Sequence, residues 1–302
     1  MTVRRILCPI DLSDFSRPAL AHATALARLY EAEAVVLHVF AAYLPPANLG
    51  TYPAWMLRVP EARETIAQEL RAMLEPYSTT GTPVRLHTAE GDAADEIVRH
   101  ASELQVDLIV MGTHGRGGFD RFTLGSVTEK VLRKAPCPVL TLPPAAASSA
   151  ATLDYRTILC PTDFSLSSEC GVDFALSIAR RSHATVTVLH VIETVDDDAD
   201  TTDRRALTGH HTDTRYEEEA QALHSRLATH VQPSDRVSEL IATGKPHRAI
   251  LRVAGDRRAD LIVIGVRGRG PVDLTLFGST TNQVVRRAVC PVITVRSRGA
   301  ES

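Results

Sequence analysis

Short, β-branched apolar runs alternate along this chain with longer stretches in which apolar residues recur at helical spacing. In the first half, Ile6 to Ile10, Val35 to Val39, Val84 to Thr88, Asp107 to Met111 and Pro138 to Leu142 read as strands. Leu20, Ala23, Leu26 and Ala27 share one face of a helix between the first two strands. Ile66, Leu70, Met73 and Leu74 share one face of another before the third. The segment GDAADEIVRHA opens a third helix, with Asp92 as its N-cap ahead of Asp95 and Glu96, and a fourth helix precedes the last strand. Strands and helices alternate in a regular rhythm, and the run before each glycine stretch, LIVM or LIVI, is continuously apolar. That predicts a parallel sheet covered by helices on both faces.

The whole pattern then returns. Arg4 to Ser16, RRILCPIDLSDFS, matches Tyr155 to Ser167, YRTILCPTDFSLS; VVLHV at Val35 to Val39 matches TVLHV at Thr187 to Val191; APCPVLTL at Ala135 to Leu142 matches AVCPVITV at Ala288 to Val295. The offset drifts by about one residue from the start of the copies to their end, which is the signature of a duplicated domain. PPAAASSAATL, between the copies, has the composition of a linker. The expected organisation is one domain over residues 1–143, a linker over 144–153 and a second domain over 154–298. Each domain is expected to be a doubly wound, five-stranded parallel sheet in the order 3-2-1-4-5, given right-handed crossovers. Its last strand would lie at a sheet edge, and the two such edges are expected to pair antiparallel within the chain.

Composition narrows the function classes. With 302 residues and a net charge of only −3, nothing in the bulk charge steers the chain toward nucleic acid or membrane. The N-terminal MTVRRILCPIDL lacks the apolar core of a signal peptide, so the expectation is cytoplasmic. Cys8 and Cys160 hold equivalent places, as do Cys137 and Cys290, which reads as repeat copying rather than a disulfide framework or metal spacing. The acidic run VDDDADTT, with His210 and His211 beyond it, reads as a solvated loop, and no metal site is expected. His38 and His190 end matched strands and read as packed, hydrogen-bonded histidines.

The candidate chemistry lies after the fourth strand of each copy, in the spacing G-x2-G-x9-G-S. It comprises Gly112, Gly115, Gly125 and Ser126 in one copy, and Gly265, Gly268, Gly278 and Ser279 in the other. Glycines at a strand's carboxyl end allow positive φ and close approach of backbone amides to a ligand. A helix opening at Gly-Ser adds unpaired amides and a positive dipole end, which suit phosphate. Arg116 and Arg269, at matching places, could neutralise phosphate charge. The plainer alternative is a tight turn followed by a capping box of Ser126 with Glu129. Neither a G-x4-G-K-[ST] loop nor a G-x-G-x-x-G turn is present.

In the order 3-2-1-4-5 the strand order reverses between strands one and four, so ligands are expected outside their carboxyl ends. Asp11 and Asp163 follow the first strand of each copy. A carboxylate there suits a ribose hydroxyl or an exocyclic amine better than a phosphate. It could equally cap the helix that begins near Ser13 or Ser16.

These residues together resemble the universal stress protein family in tandem form: the Ile-Leu-Cys-Pro-x-Asp start, G-x2-G-x9-G-S and the Cys-Pro-Val strand, in both copies, over almost the whole chain. The resemblance implies the adenine nucleotide α-hydrolase type of fold, a role in surviving stress, and ATP as ligand, with or without Mg. It implies contacts from Asp11, Val39, Met111, Gly112, Gly115, Gly125, Ser126 and Val127 in the first copy. In the second the matching positions are Asp163, Val191, Ile264, Gly265, Gly268, Gly278, Ser279 and Thr280, the last replacing valine. It also implies an intramolecular pseudo-dimer, with association into a homodimer left open. The expectation is a nucleotide-binding protein and not an enzyme, the alternatives being a slow ATP hydrolase and a nucleotide-free scaffold. Unequal affinities at the two sites are expected from Thr113, His114 and Gly118 facing Val266, Arg267 and Pro271.

Overall fold

A computed structural model describes residues 2–13, 16–41, 59–78, 81–113, 124–144, 146, 155–194, 210–266 and 278–297. The first half runs β1 (Arg5–Pro9), α1 (Ser16–Tyr30), β2 (Glu33–Ala41), α2 (Val59–Ser78), β3 (Val84–Gly91), α3 (Ala93–Glu103), β4 (Leu108–Gly112), α4 (Ser126–Lys134) and β5 (Val139–Leu142). The second repeats it as β6 (Thr157–Thr162), α5 (Leu166–Ser182), β7 (Thr185–Ile192), α6 (His210–Leu227), β8 (Arg236–Thr243), α7 (Pro246–Asp256), β9 (Leu261–Gly265), α8 (Ser279–Arg287) and β10 (Val292–Val295).

Successive strand side chains point to opposite faces, so a continuously apolar strand feeds two cores. Ile6 and Cys8 pack on one face with Leu20, Leu26 and Leu70; Leu7 packs on the other with Ile97, Val131 and Leu132. Each fully buried leucine or isoleucine contributes about 1.5–3 kcal/mol of transfer free energy. Asp92 caps α3, accepting from the amides of Ala94 and Asp95, as its position predicts.

The strands differ from the apolar runs at their ends. β3 continues three residues beyond Thr88 because Ala89, Glu90 and Gly91 pair with Val39, Phe40 and Ala41 through backbone groups, which need no apolar side chain. Asp107, read as the start of a strand, lies before β4. Its carboxylate accepts from the amides of Arg4 at 2.8 Å and Arg5 at 3.1 Å, tying down the start of β1, and Asp260 does the same for Arg156 and Thr157. The duplication extends to backbone conformation, with left-handed residues at matching places: Leu12 and Phe164, Glu31 and His183, Gln105 and Arg258.

Each half has the order 3-2-1-4-5, and the two join into one ten-stranded sheet, β3-β2-β1-β4-β5-β10-β9-β6-β7-β8. All pairings are parallel except the central one. There β5 meets β10 antiparallel, with Thr141 opposite Val292 and Val139 opposite Thr294. Both threonine hydroxyls are buried at this seam: Thr141 donates to the Val292 carbonyl and Thr294 to that of Val139. Tyr30 of α1 lies 3.3 Å from the Ser177 hydroxyl of α5 on one face, and Arg286 of α8 reaches Glu129 of α4 at 3.5 Å on the other.

Candidate functional site

β1 lies between β2 and β4, so the order reverses beside it, and β6 occupies the same place in the second half. The pairing Ile6 to Leu108 and Leu7 to Ile109 carries the end of β1 to the level of Gly112. Where β1 ends, the Ile10 amide donates to the Leu37 carbonyl and the Ile10 carbonyl meets Nδ1 of His38 at 2.9 Å. His190 meets the Thr162 carbonyl likewise at 2.9 Å. Both rings are buried, so these histidines fasten the ends of strands one and two together.

Asp11 and Asp163 follow directly, half-buried. Oδ1 of Asp11 accepts from the Ser13 amide at 3.0 Å, the Ser13 hydroxyl at 2.6 Å and the Ser16 hydroxyl at 2.7 Å. Oδ1 of Asp163 accepts from the amide and hydroxyl of Ser165, and Ser165 in turn caps α5 through the Ser168 amide. The acid therefore organises the loop that leads into the helix, but it is not the cap of α5, which is Ser165. That role also fixes its carboxylate at the reversal point.

The glycine stretch closes at a neck. The Gly125 amide donates to the Thr113 carbonyl at 2.9 Å, and Gly278 to Val266 at 3.1 Å. One turn on, the Thr128 hydroxyl donates to the Gly112 carbonyl at 3.0 Å and Thr281 to that of Gly265 at 2.8 Å. Sequence reasoning missed this threonine, although it recurs three residues after the glycine in both copies. Gly115, Arg116, Gly268 and Arg269 lie outside the described residues, as do His114, Gly118, Arg267, Pro271 and Trp55.

Two expectations about this segment are corrected. Ser126 is not the N-cap of a capping box: the cap position belongs to Gly125, no side chain bonds there, and Glu129 turns to Arg133 and Arg286. Nor do the signature's described glycines, Gly112, Gly125, Gly265 and Gly278, have positive φ, which among the described glycines is confined to Gly81, Gly91 and Gly244. At Gly265 and Gly278 the constraint is close approach. A Cβ on Gly265 would lie 2.8 Å from the Ser168 nitrogen and 2.9 Å from the Ser167 carbonyl carbon, and one on Gly278 would lie 3.0 Å from the Val266 oxygen. β9 therefore ends against the first turn of α5, the turn that Asp163 organises.

Ser126 and Ser279 are exposed at the first helical position, and the first-turn amides of α4 and α8 have no side-chain cap. Val39, Val127, Val191 and Thr280 are half-buried at the same end of the sheet, with Met111 and Ile264 buried beneath them. Beside Val39 an open cleft of about 520 Å³ is lined by Phe40, Arg63, Ala67, Thr88 and Glu90 among others. Burial raises the Cys8 thiol to about 12, so it is an inert core group. Among the described residues no group of three or more His, Cys, Asp or Glu could hold a metal ion, and no helix is long and apolar enough to cross a membrane.

The model of the Universal stress protein family matches residues 2–143 and again residues 154–296. A universal stress protein of Mycolicibacterium smegmatis is 28% identical over 302 residues, covering 97% of each chain. One of Methanocaldococcus jannaschii is 34% identical over 139 residues, covering 46% of this chain and 81% of its own. A solved universal stress protein from Archaeoglobus fulgidus has the same fold at a TM-score of 0.66 and 24% identity, covering 100% of this chain and 98% of its own. With one match on each five-stranded half, the chain belongs to the universal stress protein family as a tandem of two such domains.

Proposed function

We propose that each half binds one adenine nucleotide, ATP in the first instance, and that the protein is a nucleotide-binding regulator of stress survival and not an enzyme. One observation carries this reading. In both halves an acid fixed by serines and an uncapped helix start flank the reversal point, and Thr128 or Thr281 locks the helix start to the strand end. The uncapped first turn supplies amides and a positive dipole end for phosphate. Asp11 or Asp163 faces the nucleoside end, with Val39 or Val191 and Met111 or Ile264 as its apolar floor. Gly115, Arg116, Gly268 and Arg269 belong to the phosphate side of the same proposal. Mg would travel on the phosphates.

The domains are proposed at 1–143 and 154–298, joined by 144–153. An intramolecular pseudo-dimer, supported by the β5–β10 seam, and a cytoplasmic setting are part of the same proposal.

ATP titrated calorimetrically into the full chain should saturate near two equivalents, with phosphate release at background. Ser126→Asp and Ser279→Asp are the informative variants, because a carboxylate at a helix start favours the helix yet repels phosphate. Each should abolish one equivalent while the melting temperature holds. Absence of binding at millimolar ATP would leave the scaffold reading, and steady turnover would favour a hydrolase.

A further inference from the structure

α7 packs on α8 as α3 packs on α4, so each half serves as a control for the other. In the first half the contact is neutralised internally: Lys130 pairs with Asp92 at 3.2 Å and Lys134 with Asp95 at 2.7 Å. Aligning the copies at Gly91 and Gly244, and at Gly125 and Gly278, places Lys245 at Asp92, Arg248 at Asp95 and Arg287 at Lys134. Both acids have become bases; of the two opposing lysines, Lys134 has its counterpart in Arg287, while Gln283 stands at Lys130. Over these matched stretches, residues 92–105 with 126–134 hold four Lys or Arg against five Asp or Glu. Residues 245–258 with 279–287 hold seven against one.

The charge is accessible. Arg248, Arg257, Arg258 and Arg287 are exposed, and among the described residues none of the four has a carboxylate partner. His247 lies within the same field: burial lowers its pKa, and Arg287, Arg248 and Lys245 lower it further. Uncompensated like charges held close on a folded surface oppose folding unless a counter-charge arrives.

We propose that the α7–α8 face is a docking surface for an acidic protein segment, a helix with carboxylates on successive turns. The first half shows which partner such a helix pair accepts, since Lys130 and Lys134, on successive turns of α4, take carboxylates three residues apart, at the N-cap and in the first turn of α3. The chain's overall charge of −3 favours a short acidic segment, which senses the local patch, over a long polyphosphate rod, which senses the whole molecule.

The test uses the full-length protein and a fluorescein-labelled helical peptide with glutamate at every fourth position, followed by anisotropy at low ionic strength. Wild type should bind, and added salt should weaken the complex. Arg248→Asp should rebuild the ion pair that Lys134 makes with Asp95, raising the melting temperature while weakening the peptide about tenfold, roughly the loss of one favourable charge contact. The double variant R257E/R258E, just past the carboxyl end of α7, should weaken the peptide by a similar factor. Arg71→Glu on α2 should leave binding unchanged. Equal binding by wild type and both arginine variants, no binding at low salt, or tighter binding of duplex DNA or inorganic phosphate than of the peptide would each overturn the proposal.

Discussion

Thr281 donates its hydroxyl to the carbonyl of Gly265 across 2.8 Å, tying the first turn of α8 to the last residue of β9. The hydroxyl is buried, and Thr128 repeats the bond to Gly112. Changing Thr281 to Val keeps the shape and leaves a buried carbonyl short of a donor, which costs about 1–3 kcal/mol. Urea unfolding should show that loss. Ser, which restores the hydroxyl, should recover most of it.

Gly265 carries a different cost. With α5 backbone atoms within 3 Å of where a Cβ would stand, Gly265→Ala must displace a helix start and not merely a flexible side chain. The expected destabilisation is about 1–3 kcal/mol, as for overpacking elsewhere. Loss of ligand in a Gly265 variant therefore reports on folding as well as on phosphate contact. Gly244→Ala, by contrast, meets open space but a φ of +118°, so any destabilisation there is conformational.

Tyr155 opens the second half with its ring buried and its hydroxyl without a hydrogen-bond partner among the described residues, and burial pushes its pKa well up. Tyr155→Phe removes a desolvated polar atom and should leave stability unchanged or raise it by about 1 kcal/mol. Tyr155→Ala should cost about 3–5 kcal/mol, because the ring's volume is lost as well. Thermal melts of the two variants separate hydroxyl from ring. A clear destabilisation in Tyr155→Phe would show that the hydroxyl contributes.

His22 sits buried on α1 with Nδ1 on the Pro18 carbonyl, and burial lowers its pKa below 6.5. The unfolded chain then takes up a proton that the folded chain refuses, so stability falls as pH drops through about 6.5 and levels off below the folded value. His22→Gln should flatten the dependence of the urea midpoint on pH across that window. Some slope should remain from His247, which is lowered in the same direction.

Much of the site was legible because its parts are local in the chain. Asp11 with Ser13 and Ser16 acts within a few residues, and duplication displays the Gly-Ser step twice; Thr128, whose partner Gly112 lies 16 residues back, was missed. The role of Glu129 was not legible. Its spacing from Ser126 suggests a capping box, but Arg286 lies 157 residues away in the chain and 3.5 Å away in space. The packing constraint at Gly265 was not legible for a related reason. The signature suggests unusual φ, whereas the constraint on Gly265 comes from Ser167 and Ser168, brought against it by the packing of α5 on β9.

The sequence by itself determined the order of strands and helices, the duplication and the five-stranded halves, because apolar periodicity and turn residues act between near neighbours. Tertiary structure alone decided which residues of the two edge strands face each other, and so set the register of the ten-stranded sheet. It also decided that α7 packs on α8, which brings the charges of Arg248 and Arg287 together on His247. Backbone approach and facing charge depend on distances between residues far apart in the chain, and those exist only once the helices have packed on the sheet.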